Sequence, residues 1–585
     1  MTAVLSPPVA PEESPDVLPG VSRTRVLIAA ALLGLGALFL LLLVVPGALD
    51  GSDAQSMYQV MQSIVDHGDV TVASPPPIGV PGLYGHYYSK YGPAQSLAAI
   101  PLFVIGRALE PLVPVRFAPE LPIMASSLLP AVVTALTVEL FFLTALELGA
   151  TALGALALSG VYLLATPAIV YAAQWFSEPL TVLGLLTAVY ALLRDRHAPS
   201  PWWPILAGMA LALAVCARLD ALLFVPPLFV YLLLDTGHPN RTGLVEGWQG
   251  RALSFLLPLG LALVGLASYN ADRLGSPLES GYGRANAVDV FARRDAHPPH
   301  TLASFAQGLY GLLLSPGKGL LEYAPPLLLA PFGAALLWAR RRAETALLLA
   351  LFLLYLVAHA NVLIRWLGGW SWGPRFLIPV LPLALLLLAP LLGPYAGARA
   401  RRRTRPALTV LAVAGLLVQI PALLVHEPHT YINAIRVPYF VAYCQPYHPA
   451  SPNHMCRHPV TTWTRIEDDY SFVPEDSPII GAWRMLGRAS TWTQPPNVSP
   501  LTVATNNITT TPRFWWRLLS LQGVPAAALW AVCALLLVAA LACLGGALWL
   551  TGGEAASTWF PQPHTGVRAW LTFGRHAARD NHRYN

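Results

Sequence analysis

The chain has 585 residues, of which 55% are hydrophobic and only 11% are charged, and its mean hydropathy is +0.54. Soluble domains carry about 25% charged residues, so this composition excludes an ordinary soluble protein. The net charge of +6 could suggest nucleic-acid binding. However, the arginines fall mostly in short loops between apolar runs, which is typical of membrane topology.

Twelve apolar runs are interpreted as membrane-spanning helices, because about 20 apolar residues cross the ~30 Å hydrocarbon core. The sequence therefore predicts an all-α polytopic membrane protein with about twelve transmembrane helices. The run 202–234 is interrupted by Arg218 and Asp220 and is divided into two short spans. The predicted spans are 26–46, 121–146, 151–173, 179–193, 202–218, 220–234, 252–270, 321–339, 345–362, 375–393, 407–426 and 523–549.

Arginine clusters orient these spans. They fall on one side of the predicted membrane, and the positive-inside rule makes that side cytoplasmic. Residues 1–22 are rich in proline and acidic residues and are expected to form a disordered cytoplasmic tail. The first apolar run lacks a clean cleavage site and is expected to remain as an anchor. Residues 551–585 form a second cytoplasmic tail, after a last span within 521–550. The arginines used are Arg23, Arg25, Arg194, Arg196, Arg241, Arg251, Arg340 to Arg342, those within 399–405, Arg568, Arg575, Arg579 and Arg583.

The longest loops then lie on the external side of a cell membrane. The loop 47–120 contains helical stretches near 53–67 and 93–109, and the second is expected to lie along the membrane interface. A second external segment covers 271–320. The segment 427–520 has no long apolar run and many aromatic residues, which predicts a small external segment or lid.

The cysteines fit this arrangement. Cys216, Cys533 and Cys543 fall in predicted spans and are interpreted as packing residues. Cys444 and Cys456 fall in the last external segment, where an oxidising compartment permits a disulfide between them. A metal site is the competing interpretation of this pair, because three histidines are close by: His448, His454 and His458.

Acidic residues mark two helix beginnings on the external side. Asp50 and Asp53 follow the first span, and Glu178 opens the span after Trp175-Phe176-Ser177. Ser52 or Asp53 could simply cap the following helix, and Glu178 could simply favour a helix N-terminus. Alternatively, a carboxylate near the hydrocarbon boundary is well placed to hold or accept a proton. The residue pattern leaves both interpretations open.

Basic and aromatic residues share the same predicted face. Lys90 lies in Tyr88-Ser89-Lys90-Tyr91, where its ammonium suits a lipid phosphate, although the tyrosines could be an interfacial belt. Lys318 lies in Ser315-Pro316-Gly317-Lys318-Gly319, whose glycines could leave backbone N–H groups open to an anion. Arg375 follows Trp372-Gly373-Pro374. It could be a snorkelling anchor, and the nearby tryptophans a belt or a stacking platform for a sugar.

These motifs resemble the GT-C superfamily of membrane glycosyltransferases, especially bacterial relatives of protein O-mannosyltransferases and of lipid A aminoarabinose transferases. The first external loop of such proteins opens with an acidic motif and a helix, followed by a Gly-Asp pair and a basic residue before an interfacial helix. Here those elements are Asp50 to Asp53, Gly68-Asp69 and Lys90. The resemblance covers about residues 26–425, and so implies a transmembrane catalytic domain over 23–426.

The resemblance implies a transferase that moves a sugar, with inversion, from a polyprenyl-phosphate donor to a glycan, lipid or protein acceptor on the external face. Asp53 would be the general base and Glu178 a second acidic residue that holds the acceptor or a divalent cation. Lys90, Lys318 and Arg375 would bind the donor phosphate. Asp50, Tyr88 and Trp372 are further substrate-binding candidates. Asp53 is followed by Ala54 rather than by a second acidic residue, which puts a metal requirement in doubt.

Two other functions compete with a transferase. A transporter or lipid flippase also has many spans and buried charges, but the sequence shows no convincing internal repeat with broken helices, which many transporters have. The suspected charges also gather at one face instead of mid-membrane. A catalytically silent glycolipid-binding protein of the same fold is the third possibility.

Overall fold

Helices dominate the part of the chain that the structure, a computed structural model, describes: residues 23–49, 51–234, 247–288, 296, 300–369, 371–425, 467–488 and 514–552. The α-helices in chain order are α1 Arg23–Leu42, α2 Gly51–His67, α3 Ala94–Leu109, α4 Leu121–Ser127, α5 Leu129–Glu147, α6 Ala152–Leu164, α7 Ala168–Ala172, α8 Glu178–His197, α9 Trp202–Ala217, α10 Val225–Leu233, α11 Trp248–Leu274, α12 Tyr282–Val288, α13 Leu302–Leu314, α14 Leu320–Tyr323, α15 Ala330–Trp338, α16 Arg342–His359, α17 Leu381–Leu386, α18 Ala398–Leu424, α19 Pro478–Arg488, α20 Trp515–Leu521 and α21 Ala526–Thr551.

Seven helical stretches among the described residues are long and apolar enough to cross a membrane. They are Arg23–Leu42, Ala118–Glu147, Trp248–Leu274, Arg342–His359, Arg375–Leu392, Arg399–Leu424 and Ala526–Thr551. Helix α8 has 20 residues but is not among the seven, and the other remaining spans are helical but shorter; α6, for example, has 13 residues. A helix of 13 residues is about 20 Å long, which is less than the ~30 Å core. The membrane-spanning, helical architecture is therefore confirmed, and the count of about twelve spans is not.

Helix α8 lies in the middle of the bundle. It packs along α9 and α5, while α1 packs against α5 and α21. The close approach of α9 to α11 depends on Gly208, where a β-carbon would lie 2.2 Å from the carbonyl oxygen of Phe255. The apolar runs of the described residues thus pack into one large hydrophobic core with two smaller clusters.

Ionic groups collect at both ends of α8. Glu178 is its first residue, and Arg194 near its other end forms a 2.8 Å ion pair with Glu147 of α5. Arg251 pairs with Asp195 beside it. Sixteen residues of helix separate Glu178 from Arg194, or about 24 Å, which is close to the thickness of the hydrocarbon core. Arg194 and Arg251, two of the arginines predicted to be cytoplasmic, therefore lie at the end of α8 opposite Glu178.

The first loop folds over the Glu178 end of the bundle. Its three short strands are β1 Thr71–Val72, β2 Val80–Pro81 and β3 Tyr87–Tyr88. They form an antiparallel sheet in the order β1-β3-β2, with Thr71 and Val80 both paired to Tyr88. Helices α2 and α3 coincide with the two helical stretches predicted in this loop.

One side of α3 exposes apolar side chains. Leu97, Val104 and Ile105 are each about half exposed, and their spacing puts them on one helix face. Exposed apolar residues in a membrane protein are suited to lipid, so this face agrees with an interfacial position for α3, which stays a prediction.

Part of the last predicted external segment packs against the bundle. In the described residues 467–488, Ser477 Oγ donates to the Pro316 carbonyl at 2.8 Å, and Glu467 pairs with Arg365 at 2.6 Å. Cys444 and Cys456 lie outside the described residues. The other three cysteines are free thiols and lie in α9 and α21, as predicted for packing residues.

We expect Gly208→Ala to destabilise the protein, because its new methyl group would collide with the Phe255 carbonyl. Overpacking of this kind costs about 1–3 kcal/mol. Gly260→Ala is the matched control, since a β-carbon there meets nothing within 4 Å; the same change should be neutral or stabilising, as alanine favours helix. Thermal unfolding in detergent measures both variants. Equal midpoints would contradict the close helix contact.

Candidate functional site

Arg375 connects the two acidic residues that the sequence selected. Its Nη2 lies 3.1 Å from Asp53 Oδ2, and its Nε lies 2.6 Å from Glu178 Oε1. The residues are 322 and 197 positions apart in the chain. Each begins an element: Asp53 lies in the first turn of α2, Glu178 is the first residue of α8, and Arg375 opens the stretch 375–392.

Helix α2, which carries Asp53 in its first turn, follows a turn that a distant part of the chain holds in place. The indole of Trp515 donates to the Leu42 carbonyl at 2.7 Å, and that of Trp516 donates to the Leu43 carbonyl at 3.0 Å. These bonds satisfy carbonyls at the end of α1 that have no partner within the helix. The turn between α1 and α2 is therefore anchored at its first residues.

The turn before Glu178 is anchored as well. The Trp175 indole donates to the Ser126 carbonyl at 2.7 Å, and Pro179 occupies the first turn of α8, where its fixed φ favours a helix. Ser177 is the N-cap residue of α8, and its side chain makes no capping hydrogen bond. The Glu178 carboxylate contacts Arg218 and Arg375 instead of the helix backbone.

A second guanidinium meets the same carboxylate. Arg218 Nη1 lies 2.6 Å from Glu178 Oε1, and Arg218 also grips Asp220, with Nη2 at 2.6 Å from Oδ2. Asp220 in turn accepts a hydrogen bond from the Tyr355 hydroxyl at 2.9 Å and contacts His359 Nε2 at 3.3 Å. Together with Asp53 and Arg375, these residues form one connected network, which we call the outer cluster.

Sequence reasoning did not select Arg218, Asp220, Tyr355 or His359. A signal was present, because Arg218 and Asp220 interrupt an apolar run, and ionisable residues at membrane depth are functional candidates by default. The interruption was interpreted only as a boundary between two spans. His359 and Tyr355 lie in a different apolar helix, and nothing in the sequence pairs them with Asp220.

Burial explains why Glu178 needs two cations. The residue is fully buried, whereas the side chains of Arg218 and Arg375 are each 15% exposed. A buried carboxylate without partners is strongly unfavourable. Both guanidiniums donate to Oε1, and Oε2 has no hydrogen-bond partner among the described residues. Glu178 therefore has one acceptor oxygen that is buried and without a hydrogen-bond partner among the described residues.

Lys90 lies beside Asp53 with two tyrosine rings. Its ammonium is 5.4 Å from the centre of the Tyr91 ring and 5.9 Å from that of Tyr282. The Tyr91 hydroxyl donates to Asp53. Within the described residues, no hydrogen bond or ion pair of the Lys90 ammonium is present. Lys90 is thus a cation near the cluster whose charge is available to an anionic ligand.

The charges around Asp53 determine its protonation. Burial raises the pKa of its carboxyl group, but Arg375 and Lys90 lower it by more, and the Tyr91 hydroxyl lowers it further, which holds the pKa at about 2. Asp53 is consequently ionised at all ordinary pH values. While it is paired with Arg375, it is also a weak base.

Lys318 is placed differently from the sequence prediction. Its side chain is buried, and its Nζ donates to the carbonyls of Gly369 and Ser371 at 2.9 and 2.6 Å. The expectation of open N–H groups in its turn is wrong. Gly317 N–H donates to the Ser471 carbonyl, and those of Lys318 and Gly319 donate to Ser315. Lys318 braces the loop that leads to Arg375, and we do not include it in the phosphate site.

The two aromatic candidates are also packed inside the protein. Trp372 is 1% exposed, its indole donates to Gln419 at 3.0 Å, and its ring meets Tyr323 edge-on. Tyr88 is 5% exposed and belongs to β3. A buried ring offers no face to a sugar in this conformation, so neither residue is included in the site. Asp50 lies outside the described residues.

Asp69, from the Gly-Asp pair, has a structural position. It accepts hydrogen bonds from Ser63 Oγ and, at 3.0 Å, from the Thr71 backbone N–H. These contacts tie the end of α2 to β1. Within the described residues, the hydrogen bonds of Asp69 go to Ser63 and Thr71 and not to the outer cluster, so Asp69 is interpreted as a turn residue.

The described residues do not fit a divalent cation. No group of three or more histidine, cysteine or acidic side chains among them could hold a metal ion. Asp53 and Glu178 both pair with Arg375, so a metal would compete with guanidiniums for the same oxygens. No step below depends on a metal.

Comparisons with known proteins find related structures but no closely related sequence. No family model matches the chain, and no curated protein matches it. The crystal structure of ArnT from Cupriavidus metallidurans bound to undecaprenyl phosphate is 15% identical and matches 91% of this chain and 78% of its own, with a TM-score of 0.43. Archaeal oligosaccharyltransferase AglB from Archaeoglobus fulgidus, in complex with an inhibitory peptide and a dolichol-phosphate, is 12% identical, with coverages of 85% and 60% and a TM-score of 0.36.

The matched structures are those of GT-C membrane glycosyltransferases, the class that the sequence motifs resemble. TM-scores below 0.5 give no support for individual residues or substrates. The function is therefore argued from the residues of this chain.

We expect Asp53 to stabilise the fold at neutral pH through its pairing with Arg375. Its pKa falls from the usual 3.8 to about 2, which corresponds to about 2 kcal/mol. This stabilisation is present above pH about 4 and is lost as the pH falls through about 2, where folded Asp53 takes up its proton. The difference in unfolding temperature between wild type and Asp53→Asn should narrow over that range. A difference that stays constant with pH would contradict the ion pair.

Proposed function

We propose that this protein is a GT-C-type membrane glycosyltransferase that transfers a sugar, with inversion, from a polyprenyl-phosphate-linked donor to an acceptor hydroxyl. The acceptor is a cell-envelope glycan, a lipid or a protein, and transfer takes place on the external face of a cell membrane. The single observation that carries the proposal is the arrangement at Asp53: a carboxylate shares Arg375 with Glu178 and has the available cation Lys90 beside it.

Each group in this arrangement has a role in the proposed reaction. Lys90 and Arg375 bind the donor phosphate, because cations at headgroup depth attract lipid phosphates. They stabilise the leaving phosphate as its charge grows, which lowers the barrier more than it strengthens ground-state binding. Glu178 positions Arg375 through Oε1, and its buried Oε2 accepts a hydrogen bond from a substrate hydroxyl once donor binding has moved Arg375. Asp53 receives the proton of the acceptor hydroxyl.

Donor binding also explains how a carboxylate with a low pKa can act as a base. The donor phosphate is a competing anion for Arg375. When Arg375 turns to the phosphate, Asp53 loses its strongest stabilising partner, and its pKa rises towards the usual value. A base with a higher pKa accepts a proton more readily. Asp53 is thus activated only when the donor is in place.

The bonds and charges of the transfer balance. The acceptor oxygen forms a bond to the anomeric carbon while the bond from that carbon to the phosphate oxygen breaks. The electron pair leaves with the phosphate, whose charge changes from −1 to −2, and the hydroxyl proton passes to Asp53. Attack from the side opposite the phosphate gives inversion.

The domain organisation follows from this proposal. Residues 23–426 form the catalytic domain, with the loop 47–120 contributing Asp53 and Lys90. The segment 427–520 acts as an external lid; its described part contacts Pro316 and Gly317, next to the residue that braces the Arg375 loop. Helix α21 within 521–550 is the last span, and 1–22 and 551–585 are cytoplasmic tails. The Cys444–Cys456 disulfide would close part of the lid.

Asp53→Asn should abolish most of the transfer, because an amide cannot accept the proton. Loss of general-base assistance predicts a rate lower by about 10²–10⁴-fold. Purified protein in detergent is incubated with radiolabelled polyprenyl-phosphate sugars and membrane extract, and transfer to the acceptor is counted.

Asp66→Asn is the matched control for that variant. It makes the same change on the same helix, at a residue that pairs with Arg107 at 3.0 Å, and should keep normal activity. Donor binding should survive in Asp53→Asn. Undiminished transfer would refute the role of Asp53, and lipid translocation without any transfer would favour a flippase. Donor binding without transfer by the wild type would favour a silent glycolipid-binding protein.

Lysine acylation tests the phosphate site independently of turnover. The chain contains only two lysines, Lys90 and Lys318, and only Lys90 is accessible, since Lys318 is 1% exposed. An amine-reactive reagent should therefore label Lys90, and polyprenyl phosphate at about ten times its dissociation constant should slow that labelling about tenfold.

Peptide mass spectrometry quantifies both lysines in one sample. Lys318 is the internal control and should stay unlabelled with or without lipid. A polyprenyl alcohol, which has the same chain but no phosphate, should give no protection. Equal labelling of Lys90 in all samples would show that it does not bind the donor phosphate.

A further inference from the structure

The side of the outer cluster away from Asp53 ends in a histidine that the proposed transfer does not use. His359 is the last residue of α16 and is 2% exposed. Its Nε2 lies 3.3 Å from Asp220 Oδ2, the oxygen that also accepts from Tyr355 and from Arg218 Nη2. His359 is therefore joined to Glu178 through two intermediates, Asp220 and Arg218.

Both ring nitrogens of His359 face oxygen acceptors. Nδ1 lies 2.9 Å from the Tyr355 backbone carbonyl, which can only accept a hydrogen bond, so Nδ1 must carry a hydrogen. Nε2 faces the Asp220 carboxylate, which is also an acceptor when ionised. A neutral imidazole has one N–H and satisfies only one of these contacts. The imidazolium satisfies both.

The aromatic surroundings favour the same form. The imidazole lies between the rings of Tyr355 and Phe376, whose centres are 4.2 and 4.8 Å away. Cations are attracted to aromatic faces. Of the charged groups on the elements packed against the ring, Asp220 contacts Nε2, and Arg218 and Arg375 precede Asp220 and Phe376 in the chain. The carboxylate is the one in direct contact.

The charge of the cluster then depends on His359. The outer cluster and the neighbouring Lys90 are counted together here: Arg218, Arg375 and Lys90 supply three positive charges, and the carboxylates of Asp53, Glu178 and Asp220 cancel them. With a neutral His359 the sum is zero. With an imidazolium the sum is +1, which matches the single negative charge of a phosphodiester donor.

We propose that His359 is a positioning residue whose imidazolium holds Asp220, and through it Arg218, so that the outer cluster together with Lys90 keeps the positive charge that an anionic donor requires. The inference rests on the proposed function for its consequence in transfer, although the hydrogen bonds of His359 can be tested without it. An imidazole that has lost its second proton offers Asp220 one donor fewer and gives the site one positive charge fewer, and transfer falls.

The protonation of His359 can be observed directly. The intact protein is labelled with ¹⁵N-histidine, purified in detergent and titrated by NMR. The chain has 15 histidines, and the His359 signal is assigned as the one that is absent from the spectrum of His359→Gln. In the wild type at neutral pH, we expect both ring nitrogens of His359 to be protonated. In Asp220→Asn, the doubly protonated ring should disappear at a lower pH than it does in the wild type. A singly protonated ring at pH 6 would overturn the proposal, whether or not the protein transfers sugar.

The pH profile of transfer tests the consequence. His359→Gln can donate a hydrogen bond but cannot carry a charge, so its kcat/KM should be about tenfold lower at neutral pH, as expected for about 1.4 kcal/mol. The alkaline decline of the wild-type profile should disappear.

Tyr355→Phe is the matched control. It removes the other donor to Asp220 without removing a group that titrates near neutrality, so it should lower the rate and keep the wild-type alkaline decline. Identical profiles of wild type and His359→Gln would overturn the proposal. If no transfer is detected in the wild type, the proposed function fails, and the NMR titration still decides the state of His359.

Discussion

A carboxylate buried at the end of a membrane helix requires cations, and this requirement organises one end of the protein. Glu178 is fully buried, and Arg218 and Arg375 meet the same one of its oxygens, each at 2.6 Å. Removal of one partner from a buried ion pair leaves a charge without compensation, at a cost of about 3–5 kcal/mol. The beginning of α8, the turn after α9 and the beginning of the stretch 375–392 must therefore assemble together.

The same pairing restrains the proposed chemistry. Arg375 divides its donors between Glu178 and Asp53, which keeps Asp53 ionised but weakly basic until another anion takes the guanidinium. Electrostatic preorganisation of this kind is effective because the groups are positioned before the substrate arrives. Lys318 contributes at a distance, since its buried ammonium holds the carbonyls of the loop just before Arg375.

Local sequence signals predicted where several helices begin and end, but they did not predict which candidate side chains are buried. The acidic residue and the proline at 178 and 179 mark the beginning of α8, and the helices near 53–67 and 93–109 are present as α2 and α3. Lysine and tryptophan beside glycine are also typical of exposed ligand-binding residues, so the local sequence around Lys318 and Trp372 does not reveal that both are buried. Their burial follows from what lies opposite them, which is Ser371 for the lysine and Gln419 for the tryptophan.

The hydrophobic pattern is enough to predict a helical membrane protein, because lipid requires the backbone to satisfy its own hydrogen bonds. Arginine placement predicts the end of α8 at which Arg194 lies. The partners of the charged side chains are a property of the folded chain. Asp220 meets His359 across 139 positions, and Asp53 meets Arg375 across 322. No spacing rule links such residues, since helix packing alone brings them within hydrogen-bond distance.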